Sequence, residues 1–158
     1  FKKVVLTFIG DGNNVANSLI LCGALLGAEV RIACPKGYEP NSKVIKEALH
    51  IYRNKNLLTI TNDVHKAVSG ANVLYTDVWS SMGEEVMKEK KDKDFHGFTI
   101  NSHLVKKAKE DVIILHCLPA YRSKEITEEV FESERSRIFN QAENRLHVQQ
   151  ALLSCLIK

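Results

Sequence analysis

TFIGDGNNVANSL, Thr7 to Leu19, runs from a short apolar strand through a glycine turn into the start of a helix. That order is the first unit of many α/β folds that hold a phosphate at a helix N-terminus. A dinucleotide fingerprint, however, requires G-x-G-x-x-G. Gly10 and Gly12 meet the first two positions, while Val15 takes the third. An acid about 20 residues on is expected for a ribose, and Glu29 comes only after the helix. Asn13 and Asn14 fit a helix start as caps. Equally, an Asn carboxamide there donates to a carboxylate, helped by the positive end of the helix, which suits a small zwitterion.

Outward from this turn, apolar runs alternate with segments of helical period. Strands are predicted near Val4–Ile9, Val30–Ala33, Leu57–Ile60, Val73–Thr76, Val112–His116 and Arg137–Phe139. Helices are predicted near Asn14–Leu26, Ser42–Asn54, Val64–Val68, Ser102–Lys109, Lys124–Phe131 and Glu143–Ile157, with Asn41 or Ser42 and Gly27 as caps. Short strands alternating with helices imply βαβ units and a parallel sheet covered on both faces. Right-handed crossovers then favour an α/β, doubly wound, Rossmann-like sheet with strand order 3-2-1-4-5. Residues 1–158 read as one domain, without internal repeats or a low-complexity linker.

The totals narrow the function classes. The chain has 158 residues, 44% hydrophobic and 26% charged, with net charge +3. These values suit a globular domain with a real core. The run Glu84 to Asp94, EEVMKEKKDKD, mixes five acids with four bases. Nucleic-acid patches are of one sign, so this run reads as a solvated mobile loop and no nucleic-acid partner is expected. No apolar stretch approaches the roughly 20 residues of a membrane span, and no membrane partner is expected. Cys22, Cys34, Cys117 and Cys155 lie far apart with no CxxC pair, which fits a reducing, cytosol-like compartment. The six histidines show no metal-ligand spacing. An opening at Phe1, with no initiator Met and no leader, sets the expectation of a piece cut from something longer.

Polar clusters follow the strands that flank the expected reversal of winding, where ligands sit in such sheets. They are Gly10–Asn14 (GDGNN), Asp77–Gly83 (DVWSSMG) and His116–Arg122 (HCLPAYR). Asp77 either starts a turn or pairs with a ligand ammonium. The charged loop after it is a candidate lid. His116 and Cys117 are expected to point to opposite faces as neighbours on a strand, so no local Cys–His dyad is expected. Cys117 reads as a contact residue rather than a nucleophile, and no G-x-S-x-G elbow occurs. Pro119 is a candidate for a cis peptide after Leu118. From Leu146 onward the last helix, LHVQQALLSCLIK, is apolar around much of its circumference. Such a helix expects burial on several sides, here against something the chain lacks.

GDGNNVANSL, PKGYEP, TDVWSSMG, HCLPAYR and AENR, in this order over essentially the whole chain, resemble the ornithine-binding half of the ornithine carbamoyltransferases. The resemblance implies carbamoyl transfer from carbamoyl phosphate to the side-chain amine of L-ornithine, giving citrulline and phosphate, with no metal or redox cofactor. It implies that Asn14 holds the ornithine α-carboxylate. Asp77 and Ser81 would hold the α-ammonium, with Met82 contributing through its backbone in a closing SMG loop. Cys117 and the Leu118 carbonyl would lie by the reacting amine and the carbamoyl group. Arg145, taken to open the last helix, would stabilise the carbonyl oxygen and phosphate. On this resemblance Cys117, Arg145 and Asp77 are the catalytic candidates.

The physics of the reaction fits those roles. The amine attacks only when neutral, against an ordinary pKa near 10.4. The oxyanion needs a fixed cation, which a guanidinium supplies. The family's carbamoyl-phosphate motifs, S-x-R-T-R and H-P-T-Q, do not occur. The chain therefore reads as half an enzyme, inactive alone, with its last helix (about 143–157) packing on a missing carbamoyl-phosphate domain. The resemblance also implies a homo-oligomer, commonly a trimer, in the full-length family, and a bacterial-cytoplasmic or mitochondrial setting. Other amine acceptors (putrescine, N-acetylornithine, aspartate), a non-catalytic amino-acid-binding module and an NAD-binding domain are the competing readings.

Overall fold

The computed structural model describes residues 1, 3–80 and 88–157. Five strands form one parallel sheet: β1 (Val5–Ile9), β2 (Glu29–Ala33), β3 (Leu58–Thr61), β4 (Val73–Thr76) and β5 (Ile113–His116), ordered β3-β2-β1-β4-β5. The doubly wound order read from the sequence is therefore present. Side-chain alternation divides β1, β2, β4 and β5 between two cores. On β1, Phe8 joins Ala16, Ile20, Ile32 and Tyr75 on one face. Ile9 joins Leu74, Phe95, Ile100 and Ile114 on the other.

Helices α1 (Asn14–Leu26) and α2 (Ser42–Ile51) cover the first face. The second is covered by α3 (Val64–Val68), α5 (Ser102–Val105), α6 (Glu128–Phe131) and the base of α7 (Ile138–Leu156), and α4 (Lys88–Asp94) leads into its Phe95. Asn13 caps α1, accepting from the Val15 amide, and Gly27 ends it in the left-handed conformation at φ 68°.

The sheet has no sixth strand among the described residues. Ser136 makes a single parallel bridge to Ile114, after which residues 138 and 139 open α7. One hydrogen-bonded step satisfies the chain there, and the helix takes over. That helix begins five residues before the expected Glu143, which puts Arg145 two turns inside it. Helices α2, α5 and α6 are shorter than predicted, since turns and irregular backbone replace their outer ends.

The charged run also departs from expectation. Residues 84–87 lie outside the described part, but Lys88–Asp94 is a helix, and Lys91 is 6% exposed. Its Nζ meets Asp11 Oδ2 at 2.8 Å and lies over the Tyr38 ring, 6.0 Å from the centroid. Asp94 accepts from the Tyr38 hydroxyl at 2.7 Å, and Asp92 pairs with Lys124 at 2.6 Å. Tertiary partners thus hold a segment whose composition alone suggests solvation.

Candidate functional site

The site lies where the winding reverses, between β1 and β4 with β5 beside it. A cleft of about 260 Å³ there is lined by Asn14, Asp77, Trp79, Ser80, Tyr121 and Glu125, among others. The three polar clusters separated in sequence all reach it.

The glycine turn is occupied by the protein itself. The Gly12 amide donates to the Tyr38 carbonyl at 2.9 Å. A Cβ on Gly12 would lie 2.3 Å from Pro40 N. The glycine therefore admits the backbone of the PKGYEP segment, which leaves no open cradle for a pyrophosphate. Since Asn13 is the cap, the Asn14 side chain is released from that duty. Exposed at the cleft, it makes no hydrogen bond to the described residues.

Asp77 follows β4 directly and is 8% exposed. Its Oδ1 accepts from the Val78 amide at 2.8 Å. Thr76 Oγ1 donates to the Ile9 carbonyl at 2.6 Å, tying this strand end to the one that carries the glycine turn. The carboxylate is therefore aimed by a short, well-anchored strand.

His116 Nδ1 accepts from the Leu118 amide at 2.9 Å, and its Nε2 faces Glu125 Oε1 at 3.2 Å. With Nδ1 accepting, the ring proton sits on Nε2. Glu125 is fully buried and also accepts from the Tyr121 amide at 2.6 Å. Leu118 takes φ 59°, a left-handed conformation rare for a bulky residue, and the Leu118–Pro119 bond is cis as predicted.

The expectation that strand alternation keeps His116 and Cys117 apart does not hold. β5 ends at His116, so alternation no longer governs Cys117, and the ligating atoms of Asp77, His116 and Cys117 lie within 4.8 Å of one another. Among the described residues this is the group with a metal's ligand types, yet each member is engaged. Both imidazole nitrogens are taken. The Cys117 thiol is pushed up to about 12, first by burial and then by its hydrogen bond to Asp77 and that residue's charge. The group is a hydrogen-bonded network around a neutral thiol, not a thiolate nucleophile.

Residues 2–156 match the family model described as "Aspartate/ornithine carbamoyltransferase, Asp/Orn binding domain". The chain belongs to that family. The ornithine carbamoyltransferase of Prochlorococcus marinus subsp. pastoris is 78% identical over 157 residues, covering 99% of this chain and 51% of the relative. That of Methanocaldococcus jannaschii is 49% identical over 160 residues, covering 100% and 52%. The solved Pyrococcus furiosus ornithine carbamoyltransferase superposes with a TM-score of 0.90 at 48% identity, over 96% of this chain and 49% of that one. The chain thus spans about half the length of the curated relatives it matches.

The remaining residues implied by this Asp/Orn-binding family are placed unevenly. Ser81 and Met82 lie outside the described residues. Cys117 and Leu118 sit at the β5 end, half-buried, while Arg145 is exposed on α7 and does not line the cleft. α7 touches the sheet through its base. Ile138 is buried, and Gln141 accepts from the His116 amide at 3.1 Å while donating to the Tyr75 hydroxyl at 2.8 Å. From position 142 to 157 every residue is exposed, including Leu146, Val148, Leu152, Leu153, Leu156 and Ile157.

Sequence reading missed Gln141, Lys88, Asp92, Lys124 and Glu125 as parts of the site or its frame. No local pattern marks them. Lys88 and Asp92 are one turn apart on a helix that composition read as a loop. No helix among the described residues is long and apolar enough to cross a membrane.

Proposed function

We propose that this chain is the ornithine-binding half of an ornithine carbamoyltransferase, an enzyme that moves a carbamoyl group from carbamoyl phosphate to the side-chain amine of L-ornithine. The observation that carries this is one cleft with a free carboxamide, Asn14, and an anchored carboxylate, Asp77, as its two poles. These complement the carboxylate and ammonium of an amino acid. The ionisable lining is Asp77, Asp92 and Glu125 against Lys88 and Lys124. That balance favours a cationic amino acid such as ornithine over an acidic one such as aspartate, with its second carboxylate. The names of the relatives support the same choice.

In this reading Asn14 holds the α-carboxylate, and Asp77 with Ser81 and the Met82 backbone holds the α-ammonium. The neutral Cys117 thiol and the Leu118 carbonyl present polar contacts to the reacting amine and the carbamoyl group without consuming a proton. Arg145 reaches the carbonyl oxygen and phosphate once α7 is seated. The apolar surface of α7 beyond Gln141 docks on a carbamoyl-phosphate domain, and the whole enzyme is a cytoplasmic homo-oligomer, a trimer in the family's pattern. The reaction then gains from proximity of two bound reactants and from a fixed cation at the developing oxyanion. As the family resemblance implies, this reading calls for no metal or redox cofactor.

Ligand-observed NMR on the purified chain tests the reading. L-Ornithine should respond at millimolar concentration, with putrescine, aspartate and NAD silent, and Asp77→Asn should abolish the response. A response to NAD or aspartate in place of ornithine would overturn it. The chain alone should form no citrulline; measurable turnover without added protein would refute the half-enzyme assignment.

A further inference from the structure

Residues that line the cleft carry polar atoms that the protein itself leaves unsatisfied. Trp79 Nε1, Ser80 Oγ and Glu125 Oε2 are buried without hydrogen-bond partners, and all three residues line the same cleft. Among the described residues only Thr127 Oγ1 shares that condition. Buried polar groups are ordinarily paired, so three orphans on residues that line one cleft call for an occupant.

The chemistry of the orphans limits what that occupant presents. An indole N–H donates and cannot accept, so its partner is an acceptor and not an ammonium. Trp79 is 7% exposed, and its ring stacks on Phe95 at 5.4 Å and 25°, which fixes the direction of the N–H. Ser80 is the next residue and supplies a second donor. Asn14, freed from capping by Asn13, adds a third on the same cleft. Glu125 Oε2 is an acceptor and belongs with Asp77 at the cationic pole.

We infer that Trp79 Nε1 and Ser80 Oγ join Asn14 as a donor subsite for the α-carboxylate of the amino-acid ligand, opposite Asp77. This inference rests on the ornithine reading and adds two binding residues to it. A carboxylate offers lone pairs enough for all three donors, and hydrogen bonds to a charged acceptor are the stronger ones. The subsite also makes the cleft selective. A diamine with no carboxylate leaves the indole unpaired on binding, and unpaired buried donors are what a polar pocket discriminates by.

Trp79 is the one tryptophan in the chain, so a ¹H–¹⁵N spectrum carries a single indole cross-peak. Titration with L-ornithine and with L-norvaline, which keeps the carboxylate and lacks the side-chain amine, should move that peak downfield. Putrescine should leave it in place. Trp79→Phe keeps an aromatic ring on Phe95 and removes the donor, and it should weaken L-ornithine binding roughly tenfold. If the Asn14 and Asp77 amides shift with ornithine while the indole peak stays fixed, the subsite is wrong and the ornithine reading stands. An indole shift as large with putrescine as with ornithine also overturns the subsite. If no peak moves with ornithine, both fail together.

Discussion

Cys117 should behave as a neutral thiol, and alkylation measures this directly. With its pKa pushed up to about 12 by burial and by Asp77, the thiolate fraction at pH 8 is about 10⁻⁴. An ordinary exposed cysteine with pKa near 8.5 is about one-quarter thiolate at that pH, roughly two-thousandfold more. A more basic thiolate is also more nucleophilic, which recovers roughly fortyfold at a Brønsted slope near 0.45. The net expectation is that Cys117 reacts with iodoacetamide about fiftyfold more slowly than Cys22 and Cys155, which are exposed and serve as internal standards.

The pH profile separates low reactivity from mere occlusion. The raised pKa means the folded chain keeps this proton up to about pH 12, so the Cys117 rate should climb about tenfold per unit beyond pH 9, where an ordinary thiol has levelled off. The same sign carries over to stability. The contribution of the thiol is fully present below about pH 9 and is lost as pH rises toward 12, so the urea midpoint should fall across that window. Asp77→Asn removes a hydrogen-bonded carboxylate that raises the pKa, and should speed Cys117 alkylation by roughly three- to tenfold. Peptide mapping by mass spectrometry resolves the four cysteines in one experiment. Labelling of Cys117 at pH 8 as fast as Cys22, with a plateau below pH 9, would refute the neutral thiol and restore a nucleophile.

Three further substitutions test the glycine turn and the surface of α7. Gly12→Ala places a methyl 2.3 Å from Pro40 N, so it should cost roughly 2–3 kcal/mol in urea unfolding; an unchanged midpoint would show that the segment over the glycine turn yields freely. Leu152→Glu and Leu156→Glu on the exposed part of α7 should each change the stability of the isolated chain by less than about 0.5 kcal/mol, and a larger loss would mean that this surface already packs within the chain.

The sequence by itself determined the sheet. Short β-rich runs alternating with amphipathic segments leave few solutions once crossovers are right-handed, and the predicted order of the first five strands appears, while the sixth predicted strand, Arg137–Phe139, gives way to a helix. It also pointed to the turn after β1 and to Asp77, because residues that follow the strands next to the winding reversal converge whatever lies between them, while the family resemblance singled out Asn14. Three matters were decided only by the tertiary structure. Asn13, rather than Asn14, is the cap, since two adjacent asparagines look alike until backbone angles choose between them. The lysine-rich run is a docked helix, since a partly buried ion pair to Asp11 depends on residues 80 positions apart. The Asp77–Cys117 pairing, which adds to burial in keeping the thiol protonated, joins the ends of two neighbouring strands. Periodicity reports how a segment meets its surroundings on average, whereas the state of a titratable group depends on which atoms lie within a few ångströms of it, and only the folded chain brings those together.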